Sequence, residues 1–309
     1  MNIPNLSVYR SEYEAAGLSL PLSPVKKNHG GLLSVLPKAA AEKKGWPWTT
    51  ETDVKVFDSN INWPKITVVT PSFNQGVFIE QTIRSVLLQN YPNLEYIIID
   101  GGSKDETQAI IEKYAPWLSY QESRNDRGQG HAINKGFSIA SGQYYTWINS
   151  DDYFLENVLH KVAYKFLTTK AKFIYGYGYS YNTATNTFLL VKVPPVLDFF
   201  LKIPSIIQPS TFWTAAINQP IWEDLYCSLD FELWLRIARG NRKLLIKEPL
   251  SVANGHDMAK TFNPEMKHKW DDDEKKIWAA DAHGPVPHWH KVNFINRIRL
   301  KLLAIFKLI

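Results

Sequence analysis

Residues 65–105 read KITVVTPSFNQGVFIEQTIRSVLLQNYPNLEYIIIDGGSKD. The stretch holds two short apolar runs, KITVVT from Lys65 to Thr70 and LEYIII from Leu94 to Ile99, both rich in β-branched residues. Runs this short that are apolar throughout, rather than alternating, read as strands buried on both faces. Between them Ile79, Ile83, Val86 and Leu87 recur at helical spacing. Buried strand, amphipathic helix and second buried strand in so short a span predict a parallel βαβ unit.

The same alternation continues outward. Lys104–Tyr114 reads as a helix and Leu118–Glu122 as a strand. Ile133, Phe137 and Ala140 mark another helix, Tyr144–Ile148 a strand and Leu155–Phe166 a helix. The expected class is α/β, with a mostly parallel sheet flanked by helices. The second half is less regular: Lys172–Tyr175 and Thr187–Val193 read as strands. Phe231–Ala238 reads as a helix with Phe231, Trp234, Leu235 and Ala238 on one face. No internal repeat is present.

The two ends differ from this centre. Residues 1–60 are punctuated by Pro21, Pro24, Gly30, Gly31 and Pro37, and are expected to form an irregular N-terminal extension. Within them Gly45-Trp46-Pro47-Trp48 is a rigid aromatic patch that either closes over a cleft or packs beneath the sheet. At the other end Ile295, Ile298, Leu302, Ile305 and Ile309 fall on one helical stripe, accompanied by Lys291, Arg297, Arg299, Lys301 and Lys307. A basic amphipathic helix of this kind suits an anionic membrane surface, or docks on the protein's own core or a second copy. The expected division is an extension over 1–60, a catalytic domain over 61–265 and a tail with the amphipathic helix over 266–309.

Composition narrows the classes. The chain has 309 residues, 45% of them hydrophobic and 21% charged, which is an ordinary globular balance. Cys227 is the only cysteine, so an intrachain disulfide and a Cys-rich zinc site are excluded. A net charge of +5 is compatible with phosphate-bearing ligands, and too weak to point to nucleic acid. No apolar run approaches the roughly 18 residues of a membrane span, and the N-terminus lacks the basic-then-apolar pattern of a secretory signal. The 11 Trp, 15 Tyr and 15 Phe either build a large aromatic core or line a site for ring-shaped ligands.

In open parallel sheets ligands bind beyond the carboxyl ends of the strands. Three such ends here carry polar residues: Thr70-Pro71-Ser72-Phe73-Asn74, Asp100-Gly101-Gly102-Ser103-Lys104-Asp105 and Asn149-Ser150-Asp151-Asp152. Each alone is ordinary turn and capping chemistry; three on successive strands of one sheet would converge on one cleft. A dinucleotide Gly-x-Gly-x-x-Gly turn and a Walker loop are both missing. Adjacent carboxylates at Asp151 and Asp152 would be relieved by a divalent cation, and hard oxygen ligands suit Mg²⁺ or Mn²⁺. Such ions bridge to phosphates, so the inferred ligand is a metal-bound nucleoside diphosphate compound.

From about Lys65 to Tyr153, with a looser match through QPSTFW and LDFELWLRIA to His256, the sequence resembles the catalytic domain of family 2 glycosyltransferases of GT-A fold. The resemblance implies transfer of a sugar, with inversion, from a nucleotide-sugar donor to a glycan or lipid-linked acceptor. UDP is the default nucleotide, and Mn²⁺ or Mg²⁺ the cofactor. It further implies bacterial surface-polysaccharide synthesis in the cytoplasm or on the inner face of its membrane. Pro71, Phe73 and Asn74 match the turn that frames the donor nucleoside, and Asp100 the acid that contacts its base or ribose. Ser103 and Asp105 lie in the matching Gly-Gly-Ser-x-Asp turn. Asp126, Arg127 and Gly128, with Asn134 and Lys135 on the helix that follows, match the diphosphate side.

Asn149-Ser150-Asp151 occupies the Asp-x-Asp position, with Asn149 replacing the first acid. Asp151 is then the metal ligand, and Asp152 supports the metal or the donor sugar. Asp230 matches the general base, and also suits a helix N-cap; Glu232 is the fallback. His256 matches a late metal or diphosphate contact, with Lys260 and Thr261 beside it. Gln208 and Trp213 are expected on the acceptor side. Two other readings compete. One is a catalytically silent nucleotide- or glycan-binding module scaffolding a membrane complex. The other is a nucleotidyltransferase, disfavoured because no Gly-rich basic loop follows the first strand.

Overall fold

The two apolar runs form adjacent parallel strands, β1 (Ile66–Ser72) and β2 (Leu94–Asp100), every residue of which is buried. They lie in a computed structural model that describes residues 3–196, 206–257, 259–261, 263–280 and 289–306. β1 also pairs in parallel with β4 (Tyr144–Trp147), and β2 with β3 (Tyr120–Ser123). The remaining strands are β5 (Tyr153–Phe154), β6 (Phe173–Asn182), β7 (Thr187–Val191), β8 (Thr211–Thr214) and β9 (Lys243–Gly255). The order is β3-β2-β1-β4-β8-β6-β9-β5, with β7 paired to β6 at the side. The β3-β2-β1-β4 half is parallel; β8 is antiparallel to both neighbours, and β6 and β9 run parallel.

Because successive strand residues face opposite sides, β1 and β2 feed two cores. Val69, Ile97 and Ile99 join Phe137, Trp147, Trp213 and Trp234 on one face. Val68 and Ile98 join Ile83, Val86, Val162 and Phe166 on the other. The first face is covered by α1 (Leu6–Ala15), α4 (Gln129–Ile139) and α6 (Leu229–Ile237), the second by α2 (Ile79–Leu87), α3 (Thr107–Tyr114) and α5 (Val158–Thr168). Many of the aromatics are core. Trp147, Trp213 and Trp234 lie with ring centres 5.4–5.7 Å apart.

The N-terminal extension departs from expectation in one respect. Its first part is the helix α1, capped by the Asn5 side chain, whose buried Tyr9 and Tyr13 face α4. The rest is irregular but fixed. The buried Arg84 of α2 donates from Nε to Pro47 O (3.0 Å) and from its terminal nitrogens to Pro37 O (2.8 Å), Trp48 O (2.9 Å) and Tyr114 Oη (3.1 Å). Trp46 Nε1 donates to Phe154 O at 2.7 Å. The aromatic patch therefore packs against α2 and β5. Among the described residues two α-helices follow β9: α7 (Lys267–Ala279) and α8 (Trp289–Ile305). Lys307 and Ile309 of the predicted stripe lie outside the described residues. No helix among the described residues is long and apolar enough to cross a membrane.

Candidate active site

The turns after β1 and β2 are stitched to each other. Asn74 takes up a left-handed backbone (φ 51°). Its N–H donates to Ser103 Oγ (2.7 Å), and its Oδ1 accepts the N–H of Lys104 (2.9 Å). Gly76 N–H donates to Asp105 Oδ2 at 2.9 Å. Burial works to raise the Asp105 carboxyl, but the Thr107 hydroxyl and the surrounding N–H donors outweigh it and hold it below the usual range. Pro71 is buried at the strand end, while Phe73 projects with 60% of its surface exposed.

Asp100 is fully buried and both of its oxygens are engaged. Oδ2 accepts the N–H groups of Gly102 (3.1 Å) and Ser103 (2.9 Å) and the Ser123 hydroxyl (2.5 Å), and Oδ1 accepts the Ser103 hydroxyl (2.5 Å). The carboxylate thus pins the Gly-Gly-Ser turn. Asp126 stands against this turn: a β-carbon at Gly101 would lie 3.0 Å from its Oδ2. Asp126 Oδ1 accepts the N–H of Gly128, whose φ of 109° requires glycine. Burial, against that hydrogen bond and nearby cations, pushes the Asp126 carboxyl up.

The loop and helix expected on the diphosphate side divide. Arg127 Nη2 donates to Glu223 Oε2 (2.8 Å) and Tyr9 Oη (2.6 Å), tying the loop to α1. Asn134 is buried, exchanging hydrogen bonds with the backbone of Ile221 and donating from Nδ2 to Glu223 Oε1. Lys135 pairs with Glu122 beneath α1. Asn134 is therefore engaged on the core side of α4, whereas half-buried Lys135, paired with Glu122, also extends its charge to Asp126.

At the end of β4 the Asn-Ser-Asp-Asp run meets the end of β9. Asp151 Oδ2 lies 3.2 Å from His256 Nε2, and the His256 ring stacks on Phe78 with centres 4.5 Å apart. Asn254 Nδ2 donates to Asp151 O (2.5 Å), and Asn254 N–H to Asp152 Oδ1 (3.0 Å). Asp152 is buried; that burial first, and the neighbouring Asp151 second, drive its carboxyl well above the ordinary range. Ser150 is buried too, its carbonyl accepting the Thr82 hydroxyl. Asn149 Oδ1 accepts Gln129 Nε2 at 2.7 Å. Gln129 Oε1 in turn accepts Lys260 Nζ (2.8 Å), which also donates to Tyr226 O (2.7 Å). Burial lowers the Lys260 ammonium, while Asp151 works to raise it.

Asp230 sits in the first turn of α6, not at its N-cap, which is Ser228. Its Oδ1 accepts the N–H of Phe231 (2.8 Å). Burial lifts the carboxyl to about 6, against smaller lowering from backbone N–H groups and from Lys260. The alternative base, Glu232, is corrected by the structure: it is fully buried and forked onto Arg236, Oε1 to Nε and Oε2 to Nη2, both at 2.6 Å. Trp213 is corrected as well, since a fully buried indole in the aromatic core cannot line an acceptor surface. Gln208 is half-buried and donates to Trp147 O at 2.8 Å. Gln129, Phe78 and Asn254 were missed: nothing in their spacing marks them, and only the fold brings them to Asn149, His256 and Asp151 respectively.

Among the described residues no three His, Cys, Asp or Glu side chains form a ready cation cage. Asp151 and His256 nevertheless offer a carboxylate oxygen and an imidazole nitrogen at one point, a donor pair that fits a first-row divalent cation with its other positions open.

The glycosyl transferase family 2 profile matches residues 67–221, half of the chain. An uncharacterised glycosyltransferase of Rickettsia bellii is 26% identical over 231 residues, 67% of this chain and 33% of that protein, so the chain spans about a third of that relative. TuaG of Bacillus subtilis, assigned to teichuronic acid biosynthesis, is 31% identical over 145 residues, 45% of this chain and 57% of that protein. Among solved structures, Staphylococcus aureus TarS in complex with UDP-GlcNAc superposes with a TM-score of 0.54 at 19% identity, covering 74% of this chain and 69% of that one. The Pyrobaculum calidifontis mannosyltransferase PcManGT, with GDP-Man and Mn²⁺, gives 0.54 at 14% identity over 91% and 78%. These likenesses carry the GT-A fold, and with the profile covering half its length the chain belongs to glycosyl transferase family 2.

Proposed function

We propose that the chain is an inverting glycosyltransferase that moves a sugar from a nucleotide-sugar donor to a hydroxyl of a glycan or lipid-linked acceptor. The observation that carries this reading is the position of Lys260. Its ammonium lies within electrostatic reach of both Asp151, at the end of β4, and Asp230, at the start of α6. Its hydrogen bonds to Tyr226 O, in the loop before α6, and to Gln129, which leads on to Asn149 at the end of β4, support a site shared by these two segments. Family membership supports transferase chemistry, and the nucleotide sugars bound by the two solved structures support the donor class. The polysaccharide assignment of TuaG supports a role in surface-polysaccharide assembly.

Asp230, with its carboxyl lifted to about 6, takes the proton of the acceptor hydroxyl. The oxygen then attacks the anomeric carbon, the bond to the diphosphate breaks, and one displacement inverts the configuration. Asp151 and His256 would hold a divalent cation, Mn²⁺ or Mg²⁺, which when bound supplies charge neutralisation to the departing diphosphate. Lys260 adds positive charge at the same end of the cleft. Holding both substrates in one cleft supplies orientation.

The acceptor is proposed to be reached at an anionic lipid surface through α8. Ile295, Ile298, Leu302 and Ile305 are exposed along one stripe, with Arg297 and Lys301 exposed beside them, and the helix contains no acidic residue. The catalytic reading is tested with a panel of UDP-, GDP- and dTDP-sugars, measuring released nucleotide with Mn²⁺, Mg²⁺ or EDTA. Cation-dependent release from one donor supports it; binding of a nucleoside diphosphate without release from any donor, acceptor extracts included, supports a silent module instead.

A further inference from the structure

The loop Tyr226–Ser228, immediately before α6, is held by a helix outside the family-matched residues. Asp273 of α7 is 1% exposed, and its Oδ2 accepts three backbone N–H groups: Tyr226 (2.9 Å), Cys227 (2.6 Å) and Ser228 (3.0 Å). The same helix adds Lys276, whose Nζ donates to Asp224 O (2.8 Å), and Lys269, whose Nζ lies 3.6 Å from the Tyr226 ring centre. On its other side the loop is tied into the cleft, since Tyr226 O accepts Lys260 Nζ and Lys260 continues through Gln129 to Asn149.

We propose that Asp273 is a positioning residue of the transfer reaction, fixing the start of α6, and so Asp230, relative to Lys260 and Asp151. The proposal rests on the glycosyltransferase reading. Charge-assisted hydrogen bonds from three consecutive N–H groups to one buried oxygen leave the loop a single setting. Asp230 lies two positions after Ser228, the last clamped residue, about half a helical turn, so a shift of the loop is passed directly to the carboxylate. A misplacement of about 1 Å at a reacting group costs roughly 10²-fold in rate. A merely structural anchor would not need to meet the one loop whose carbonyl also holds the cleft lysine.

The test uses the full chain with Asp273→Ala, which removes the acceptor, and Asp273→Asn, which keeps an acceptor oxygen without the charge. Cys227, the only cysteine and a buried one, reports on the loop through its rate of thiol labelling. In Asp273→Ala we expect kcat on the donor used by the wild type to fall about 30- to 100-fold, with the donor KM and the affinity for the corresponding nucleoside diphosphate within twofold. Labelling of Cys227 should quicken more than about tenfold, and Asp273→Asn should recover most of both changes. Unchanged kcat and labelling in Asp273→Ala would overturn the proposal, as would kcat and nucleotide affinity falling together with no recovery in Asp273→Asn. If Asp273→Ala does not fold, Asp273→Glu replaces it: its longer arm displaces the loop, and an unaltered kcat in that folded variant overturns the proposal. A wild-type chain that turns over no donor removes the underlying activity, whereas unaltered Cys227 labelling in Asp273→Ala removes the clamp itself.

Discussion

Asp151 Oδ2 and His256 Nε2, 105 residues apart in the chain, face each other at 3.2 Å. The contact joins the ends of β4 and β9 at the mouth of the sheet, and stacking on Phe78 fixes the imidazole plane. Both side chains are ligand types, and in the proposed mechanism they would hold the cation that offsets the charge of the leaving diphosphate. Replacing Asp151 by Ala is expected to lower cation-dependent turnover by at least ~10²-fold, and His256→Ala by ~10- to 100-fold. Turnover measured against Mn²⁺ concentration checks this; a half-saturating concentration unchanged in both variants would remove the pair from cation binding.

Asp230→Asn is expected to lower kcat by roughly 10²- to 10⁴-fold, the usual worth of a positioned base. In the wild type the rate should rise with pH and level off above about 6, since only the ionised carboxylate accepts a proton.

The same residue makes a stability prediction of opposite sign. Its carboxyl is raised in the folded chain, from 3.8 to about 6, so the native state binds more protons than the unfolded state between those values. Stability from this group therefore falls as pH rises through that window. Asp230→Asn should stabilise the chain at pH 7–8, by about 3 kcal/mol at most, and give little gain near pH 4. Denaturant unfolding at the two pH values reads the difference; an equal effect at both would mean the carboxyl is not raised.

Arg84→Ala leaves three carbonyls of the N-terminal segment without their donor, at Pro37, Pro47 and Trp48. A loss of roughly 3–5 kcal/mol is expected. Limited proteolysis should then cut between residues 37 and 60 before it cuts the sheet. Cleavage no faster than in the wild type would show that the extension is held by other contacts.

Arg297→Glu combined with Lys301→Glu should weaken binding to vesicles rich in anionic lipid by a few kcal/mol, at ~1 kcal/mol per lost cation plus the new repulsion. Turnover of a soluble donor should be unaffected. Cosedimentation with anionic and zwitterionic vesicles measures it, and equal binding by wild type and variant would assign α8 to a protein contact instead.

The strands and helices of the first half could be read from sequence because periodicity reports burial, and here both faces of β1 and β2 are buried. Asp151 stood out because it sits with Asp152 at a strand end, whereas Asp230 and His256 were legible only through the family resemblance. What periodicity cannot report is direction. Trp213 and Glu232 carry the right chemistry on the right elements, yet their side chains turn into the core and onto Arg236. Asn134 likewise turns onto Ile221 and Glu223. Gln129, Phe78, Asn254 and Asp273 were invisible because their partners come from remote segments, and neither a lone Gln nor one Asp in the acidic run 271–274 carries a signal of its own. Helix α1 was missed because its apolar face is only two buried tyrosines.

The central claim, a cation-assisted sugar transfer built on Asp151 and Asp230, is tested most directly by nucleotide release from the best donor of the panel. Wild type, Asp151→Ala and Asp230→Asn would be compared with Mn²⁺ and with EDTA, acceptor extract present. The account predicts release by the wild type with Mn²⁺ only, and loss of at least ~10²-fold in each variant while both remain folded. Near-normal release by either folded variant would contradict it.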